Sequence, residues 1–224
     1  MNDSILKQLI LKDWHIIRLP VLLYWLAGAA AILIALVYGE SLGVLSFVIF
    51  VFALIIAGVH PIFQTIVSER SDQNLPFIMS LPITVKEFTY AKVMVNLAIF
   101  GSVWISLSLA SLIIFVGEDG MPRGTLPFFC IILVTIFVGY VIMLCVALIT
   151  ETQGPSIFAS VIVNLGAQLF VWVVADLYPI RSVLGGSAVI WNSTSVAIIL
   201  AEIALIIVLI TATVCVQTRK DDFV

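Results

Sequence analysis

The stretch that decides the fold is residues 126–149, which read LPFFCIILVTIFVGYVIMLCVALI. It carries no charged side chain, and as an α-helix it is long enough to cross the hydrocarbon core of a bilayer, for which about 20 residues suffice. A helix satisfies its backbone hydrogen bonds internally, whereas the strands of a membrane barrel alternate in polarity over about ten residues, which this stretch does not do. It therefore predicts a transmembrane helix.

Five further apolar runs of similar length occur, at roughly 20–38, 42–66, 90–116, 156–175 and 193–216. The chain is 62% hydrophobic and 10% charged, with a mean hydropathy of +1.25. Soluble domains carry about 25% charged and about 45–50% apolar residues. We therefore predict an all-α integral membrane protein with six transmembrane helices, built as a single domain over residues 1–224. Charges at Lys7, Lys12 and Arg18 interrupt any signal-peptide core, so we expect the first helix to stay in the mature protein.

The distribution of Lys and Arg predicts the orientation. If both termini lie on one side, that side holds eight of the ten basic residues, namely Lys7, Lys12, Arg18, Arg70, Lys86, Lys92, Arg219 and Lys220. The other side holds only Arg123 and Arg181. The positive-inside rule then makes both termini cytoplasmic, in a bacterial plasma or inner membrane. The net charge of -3 provides no basic field to attract nucleic acid, so we expect no nucleic-acid partner.

Residues 4–18 precede the first span and separate into a basic arc and an apolar arc at helical spacing. This pattern predicts an amphipathic helix that lies in the membrane surface. Asp13 falls inside the apolar arc, where such a helix needs no acid. Either the carboxylate pairs with a cation, for which Lys86 and Lys92 are the candidates, or the helix ends near Asp13 and the carboxylate is solvated.

Residues 176–192, on the predicted outer side, read DLYPIRSVLGGSAVIWN. The segment is too apolar for a free loop and too short to span the membrane as a helix. Two structures fit: a re-entrant hairpin that turns at Gly185-Gly186, or an interfacial loop anchored by Tyr178 and Trp191.

The connection over residues 67–89 is the longest on the predicted cytoplasmic side, and residues 68–92 read SERSDQNLPFIMSLPITVKEFTYAK. Its apolar centre is framed by charges and divided by Pro76 and Pro82, which limit each helical piece. Thr84 and Glu87 fit a capping box that begins the third membrane helix. These residues alone leave open whether the centre faces lipid headgroups or a groove on another protein.

Residues 69–92 resemble the coupling loop of type-2 ATP-binding-cassette (ABC) exporter permeases. The resemblance rests on four short elements: Glu69-Arg70, Ser80-Leu81-Pro82-Ile83, Lys86-Glu87 and Ala91-Lys92. The predicted layout is similar to that family over nearly the whole chain, although the outer loops here are short. The resemblance implies a transport subunit that works as a homodimer or heterodimer of permeases, with ATP and Mg bound by separate ABC ATPase subunits. It implies that the ATPase contacts Glu69, Arg70, Leu75, Phe77, Ile78, Met79, Ser80, Leu81, Pro82 and Lys86.

Neither a GxxxxGK[ST] nucleotide-binding loop nor HExxH occurs in the chain. The letters GxSxG occur once, at Gly39-Glu40-Ser41-Leu42-Gly43, but they lie between two predicted helices and lack the preceding strand that a nucleophile elbow requires. We therefore predict no enzyme activity, cofactor or metal in this chain. The alternative to an exporter subunit is an ATP-independent channel, secondary carrier or membrane scaffold. An intramembrane enzyme is the third alternative.

Polar residues inside the apolar runs are the remaining candidates for function. An acid in a membrane helix is costly, so Glu202 is predicted to line a substrate pathway or a subunit interface, or else to be a protonated acid bonded within the bundle. Asn164 and Gln168 are candidates for the same surfaces and, like Asn96, for interhelical hydrogen bonds. Pro61 predicts a kink in the second helix. Cys130, Cys145 and Cys215 are predicted to be small core residues.

Overall fold

A computed structural model describes residues 3–68, 85–117, 122–150 and 152–217, and these ranges are predominantly helical. The α-helices are Asp3–Ile62, Val85–Gly117, Leu126–Thr150, Gln153–Asp176, Tyr178–Arg181 and Ser193–Gln217, with a π-helix at Phe63–Val67 and a 3-10 helix at Arg123–Thr125. Six stretches are long and apolar enough to cross a membrane, and we number them as the first to sixth spans: Ile10–Gly39, Ser41–Val67, Thr89–Gly117, Arg123–Thr150, Gln153–Asp176 and Ser193–Gln217. The chain is an all-α multi-pass membrane protein, which confirms the predicted fold class.

The first two spans form a hairpin with almost no loop. Within the helix Asp3–Ile62 only Tyr38 leaves helical geometry, with φ -126° and ψ 27°. The chain reverses there, because the rings of Tyr24 and His60, on opposite sides of the break, lie 5.7 Å apart. The break lies at the residue just before Gly39.

The N-terminal helix is continuous with the first span. Residues 4–18 are helical, as predicted, but the helix passes through Pro20 without a break. A proline inside a helix removes one backbone hydrogen bond, and the helix on both sides remains long enough to persist. Residues 4–9 therefore continue the first span, which itself includes residues 10–18, and the position of residues 4–18 in the membrane surface stays a prediction.

The fourth span lies at the centre of the bundle. In its most apolar stretch 61% of the residues are buried, compared with 6% in the fifth span and 11% in the sixth. It packs against both of these, and Phe129 brings its ring within 6.3 Å of Phe47 and 6.4 Å of Phe50 on the second span. The fifth and sixth spans consequently expose most of their apolar surface.

The third and fourth spans are joined by aromatic packing and a hydrogen bond. Phe100 and Tyr140 stack with ring centroids 4.0 Å apart, and Trp104 donates its indole N–H to the carbonyl of Leu133 at 2.9 Å. Gly58 of the second span lies against these rings: a Cβ there would come within 2.8 Å of Tyr140. Small residues allow such close helix approach in membranes, where packing and hydrogen bonds hold helices together.

Residues 176–192 fold back on the N-terminal end of the fourth span. The amide of Gly124, beside the start of that span, donates to the carbonyl of Gly186 at 2.8 Å. Gly185 makes the predicted turn with a φ of 82°, a value that favours glycine. Asp176 ends the fifth span, and after it only Tyr178–Arg181 is helical in this segment, where Ile180 packs into the bundle. The turn therefore contacts the N-terminal end of the fourth span, and the choice between a re-entrant hairpin and an interfacial loop stays a prediction.

Candidate functional site

A buried ion pair links the N-terminal helix to the start of the third span. Asp13, Ile17 and Val21 recur at helical spacing and form the buried edge of the N-terminal helix. The Nζ of Lys92 donates to Oδ2 of Asp13 at 2.8 Å, and the two residues are 0% and 1% exposed. The predicted pairing of Asp13 is confirmed, with Lys92 as the partner. Charges this deeply buried require compensation, because each loses its hydration.

One helical turn beyond Lys92, Asn96 extends the pair into a network. Its side-chain amide donates to the carbonyl of Lys92 and to the hydroxyl of Thr65, both at 3.0 Å. Thr65 belongs to the second span, so the predicted interhelical hydrogen bond of Asn96 is confirmed. The Thr65 hydroxyl in turn lies 2.8 Å from the carbonyl of Pro61, to which it donates. We call Asp13, Lys92, Asn96 and Thr65 the anchor network.

Thr65 sits in the π-helix Phe63–Val67, and sequence reasoning missed its role. Proline has no backbone N–H, so Pro61 disturbs the regular bonding of the helix, and π-turns are one way in which helices accommodate such defects. The Ser68 amide bonds the Phe63 carbonyl, which is the wider spacing of a π-turn. The available signal was a threonine four residues after a proline, because a threonine hydroxyl can bond the carbonyl four positions back.

The anchor network lies on both sides of the connection over residues 67–89. Thr65 precedes this connection, and Lys92 and Asn96 follow it. Both flanks are therefore joined through buried hydrogen bonds, and Asp13 ties them to the N-terminal helix. A displacement of one flank would therefore strain buried bonds to two other helices.

The residues of the connection itself fall mostly outside the described ranges. The predicted ATPase contacts Glu69, Arg70 and Leu75 lie there, as do residues 77–82, so these assignments remain predictions. The described part of the following helix starts at Val85, and the predicted capping box of Thr84 and Glu87 stays a prediction. Lys86 falls in its first turn, and its side chain is also outside the described part.

Glu202 forms a second buried polar group, at the centre of the bundle. It is 7% exposed, and its Oε1 accepts a hydrogen bond from the Thr135 hydroxyl at 2.6 Å. Its Oε2 is buried and has no hydrogen-bond partner among the described residues. Glu202 is therefore hydrogen-bonded within the bundle, which was one of the alternatives that the sequence left open. The bond does not test whether Glu202 also lines a pathway or a subunit interface.

Asn164 and Gln168 have different surroundings. Asn164 lines a small cavity of about 40 Å³ together with Thr135, which places it close to the group that bonds Glu202. Its amide donates to the carbonyl of Ser160 in its own helix, at 2.7 Å, and not to another span. Gln168 is exposed on the fifth span and does not line this cavity. The structure thus brings two of the three predicted pathway residues together near Thr135.

The described histidine and cysteine side chains are spread over the first, second, fourth and sixth spans. No group of three His, Cys, Asp or Glu side chains there could hold a metal ion. His60 lies beside Tyr24 and 3.5 Å from the amide of Gln64. Among the cysteines, Cys145 is buried as predicted, whereas Cys215 is exposed and the prediction of a core position was wrong for it.

A scan against protein-family models finds no match to this chain. Searches of curated proteins and of solved structures find no similar protein either.

Proposed function

We propose that this chain is the membrane-spanning subunit of an ATP-driven ABC exporter, driven through residues 67–89 by a separate ATPase. The observation that carries the proposal is the anchor network of Asp13, Lys92, Asn96 and Thr65. A connection that merely joined two spans would not need buried charges at its flanks, and those charges are costly to bury. With both flanks tied to the N-terminal helix, force on the connection moves three helices together.

The resemblance to the coupling loop supports the same proposal. Lys92 closes the pattern as part of Ala91-Lys92, and its role there is to hold the entry to the third span. Its buried bond to Asp13 agrees with that role. In this proposal the apolar centre around Phe77 and Ile78 docks into a cleft of the ATPase, which binds ATP and Mg. The connection and both termini are cytoplasmic, in a bacterial plasma or inner membrane.

A second permease subunit completes the transport pathway in this proposal. The fifth span is almost entirely unburied within one chain, and Gln168 is exposed on it. A polar side chain is unfavourable against lipid, and in membrane proteins such groups face bundle interiors or cavities. We therefore place the partner subunit against the fifth span, with Gln168 and the Asn164 cavity toward the pathway.

Copurification tests the docking step. The full chain is expressed together with each candidate ABC ATPase of the same genome, and the ATPase retained by the tagged membrane subunit is measured. We expect the double variant Phe77→Asp, Ile78→Asp to lose the ATPase. The matched control is Val189→Asp, Ile190→Asp, which makes the same change at an exposed apolar pair in the outer segment and should retain it. Equal retention by both variants would refute the docking role of residues 77 and 78.

Accessibility to a membrane-impermeant thiol reagent tests the orientation separately. In a chain whose three cysteines are replaced by alanine, Gln73→Cys should react only after the cells are opened, whereas Ser187→Cys should react in intact cells. Reaction of Gln73→Cys in intact cells would put the connection on the outer face, where no ATPase could reach it, and the exporter proposal would fail.

A further inference from the structure

A groove runs between the N-terminal part of the first span and the third span. It has a volume of about 690 Å³, and one wall is formed by Trp14, Arg18, Leu22 and Trp25. These residues share one helix face because their spacing follows three and four positions. Val103 contributes to the opposite wall. The volume is within the range of about 300–1,000 Å³ that is typical of ligand sites.

Arg18 is the charged member of this lining, and it is exposed. Among the described residues no carboxylate forms an ion pair with it, since Asp13 is directed toward Lys92. The guanidinium is a planar, permanently charged donor that suits a phosphate group. The remaining side chains of the first-span wall are apolar or aromatic, so the groove combines one anion-binding group with a long apolar surface.

The position of Arg18 along the span fits the membrane interface. The first span has 30 residues, and a helix of that length extends about 45 Å, whereas the hydrocarbon core is about 30 Å thick. The uncharged stretch that follows Arg18, residues 19–39, is itself about 30 Å long as a helix and matches the hydrocarbon core, so Arg18 lies at the edge of that core. Arg18 is near the N-terminal end of the span, between two tryptophans, a residue type enriched at membrane–water interfaces.

We propose that this groove binds one anionic membrane phospholipid. The Arg18 guanidinium holds the headgroup phosphate, and an acyl chain lies along Leu22, Trp25 and Val103. Basic sites between transmembrane helices near the cytoplasmic surface bind anionic headgroups in this way. The proposal does not depend on transport, because it uses only the groove, the charge and the bilayer.

The occupant is a lipid rather than a soluble anion or a second chain. A free phosphate would gain only the contact with Arg18 and would leave the apolar length of the groove open. A protein helix could fill the apolar part, but it would have to bring an acid to Arg18 or bury that charge unpaired, which is costly. A phospholipid supplies both chemistries and is present at high concentration around the groove.

Native mass spectrometry of the full chain in detergent tests the proposal. Phosphatidylglycerol and phosphatidylcholine with identical acyl chains are added, and the affinity of the first bound lipid is compared. One basic group near the surface contributes about 1 kcal/mol, so the wild type should prefer phosphatidylglycerol about fivefold. Arg18→Gln should remove the preference, and Arg18→Lys should keep most of it.

Lys7→Gln is the matched control, because Lys7 is an exposed cation of the same helix that does not line the groove. It should leave the preference unchanged. In the wild type the preference should also fall as salt is raised, which tests the charge without any substitution. Equal preference in Arg18→Gln and the wild type would overturn the proposal. If glycerol phosphate bound as tightly as the lipid, the site would be one for a soluble anion, and the proposal would fail. It would also fail if the chain formed a dimer that depends on Arg18 and prevents the first lipid from binding.

Discussion

Breaking the buried pair between Asp13 and Lys92 gives the most demanding test of the structure. Lys92→Met removes the ammonium group and keeps most of the side-chain volume, so packing changes little. It leaves the carboxylate of Asp13, which is 1% exposed, without the cation that now lies 2.8 Å away. We expect a large loss of stability, which the second substitution Asp13→Asn should partly reverse.

The magnitude follows from the distance and the burial. Coulomb's law at 2.8 Å with an effective dielectric constant of about 20 gives a gross attraction of about 6 kcal/mol. Desolvation of the two ions offsets part of this attraction in the intact pair. Removal of one partner typically costs about 3–5 kcal/mol, because the remaining charge stays buried. The double variant has no uncompensated charge, so it should be more stable than Lys92→Met.

The assay is unfolding of the purified full chain in detergent, followed by far-ultraviolet circular dichroism. For soluble chains of this length, about 1 kcal/mol corresponds to a midpoint shift of about 2–4 °C, so Lys92→Met should lower the midpoint by roughly 10 °C. The two single variants and the double variant form a double-mutant cycle, which isolates the coupling between the two residues.

An exposed ion pair with nearly the same geometry serves as the control. Arg181 and Asp176 are joined at 2.9 Å, but their side chains are 71% and 78% exposed. Exposed pairs contribute at most about 1 kcal/mol, so Arg181→Met should shift the midpoint only slightly. The reasoning is refuted if Lys92→Met costs no more than Arg181→Met, or if the effects of Lys92→Met and Asp13→Asn are simply additive.

Two further predictions concern the bundle interior. Thr135→Val removes the hydroxyl that donates to Glu202 and leaves a buried carboxyl group without that bond, so the free energy of unfolding should fall by about 1–3 kcal/mol. Thr135→Ser keeps the hydroxyl and should keep the stability. Equal stability of the two variants would contradict a stabilising hydrogen bond. Gly58→Ala should destabilise by about 1–3 kcal/mol, because the added methyl group meets the stacked ring of Tyr140. Gly101→Ala, which has open space around its added Cβ, should stabilise the helix by up to about 1 kcal/mol, and the same unfolding assay compares the two.

The spans illustrate what local sequence information suffices to predict. The apolar run at roughly 193–216 corresponds to the sixth span, Ser193–Gln217, and the runs of the second to fifth spans agree similarly well. The reason is that each membrane helix closes its own backbone hydrogen bonds and meets an apolar solvent along its length. Its existence and bounds therefore depend on nearby residues only. The largest disagreement is at the first span, where the helix extends back through Pro20.

The anchor network illustrates an intermediate case. Asp13 on an apolar arc indicated a missing cation, and the candidates were limited to Lys86 and Lys92. The choice of Lys92 required the structure, because it depends on how the N-terminal helix approaches the third span. The sequence reasoning missed Thr65. Its hydroxyl reaches Asn96 only because the second span forms a π-turn there and approaches the third span, and both depend on packing between helices.

The sequence by itself determined that this is a six-span helical membrane protein, that Asp13 needs a partner, and which connection resembles a coupling loop. Only the tertiary structure decided that Lys92 is that partner, that Thr135 bonds Glu202, and that Arg18 faces an open groove. The physical reason is the range of the interactions. Helix formation in lipid is settled within one segment, whereas pairing between helices depends on their rotation and approach, which side chains far apart in the chain set jointly.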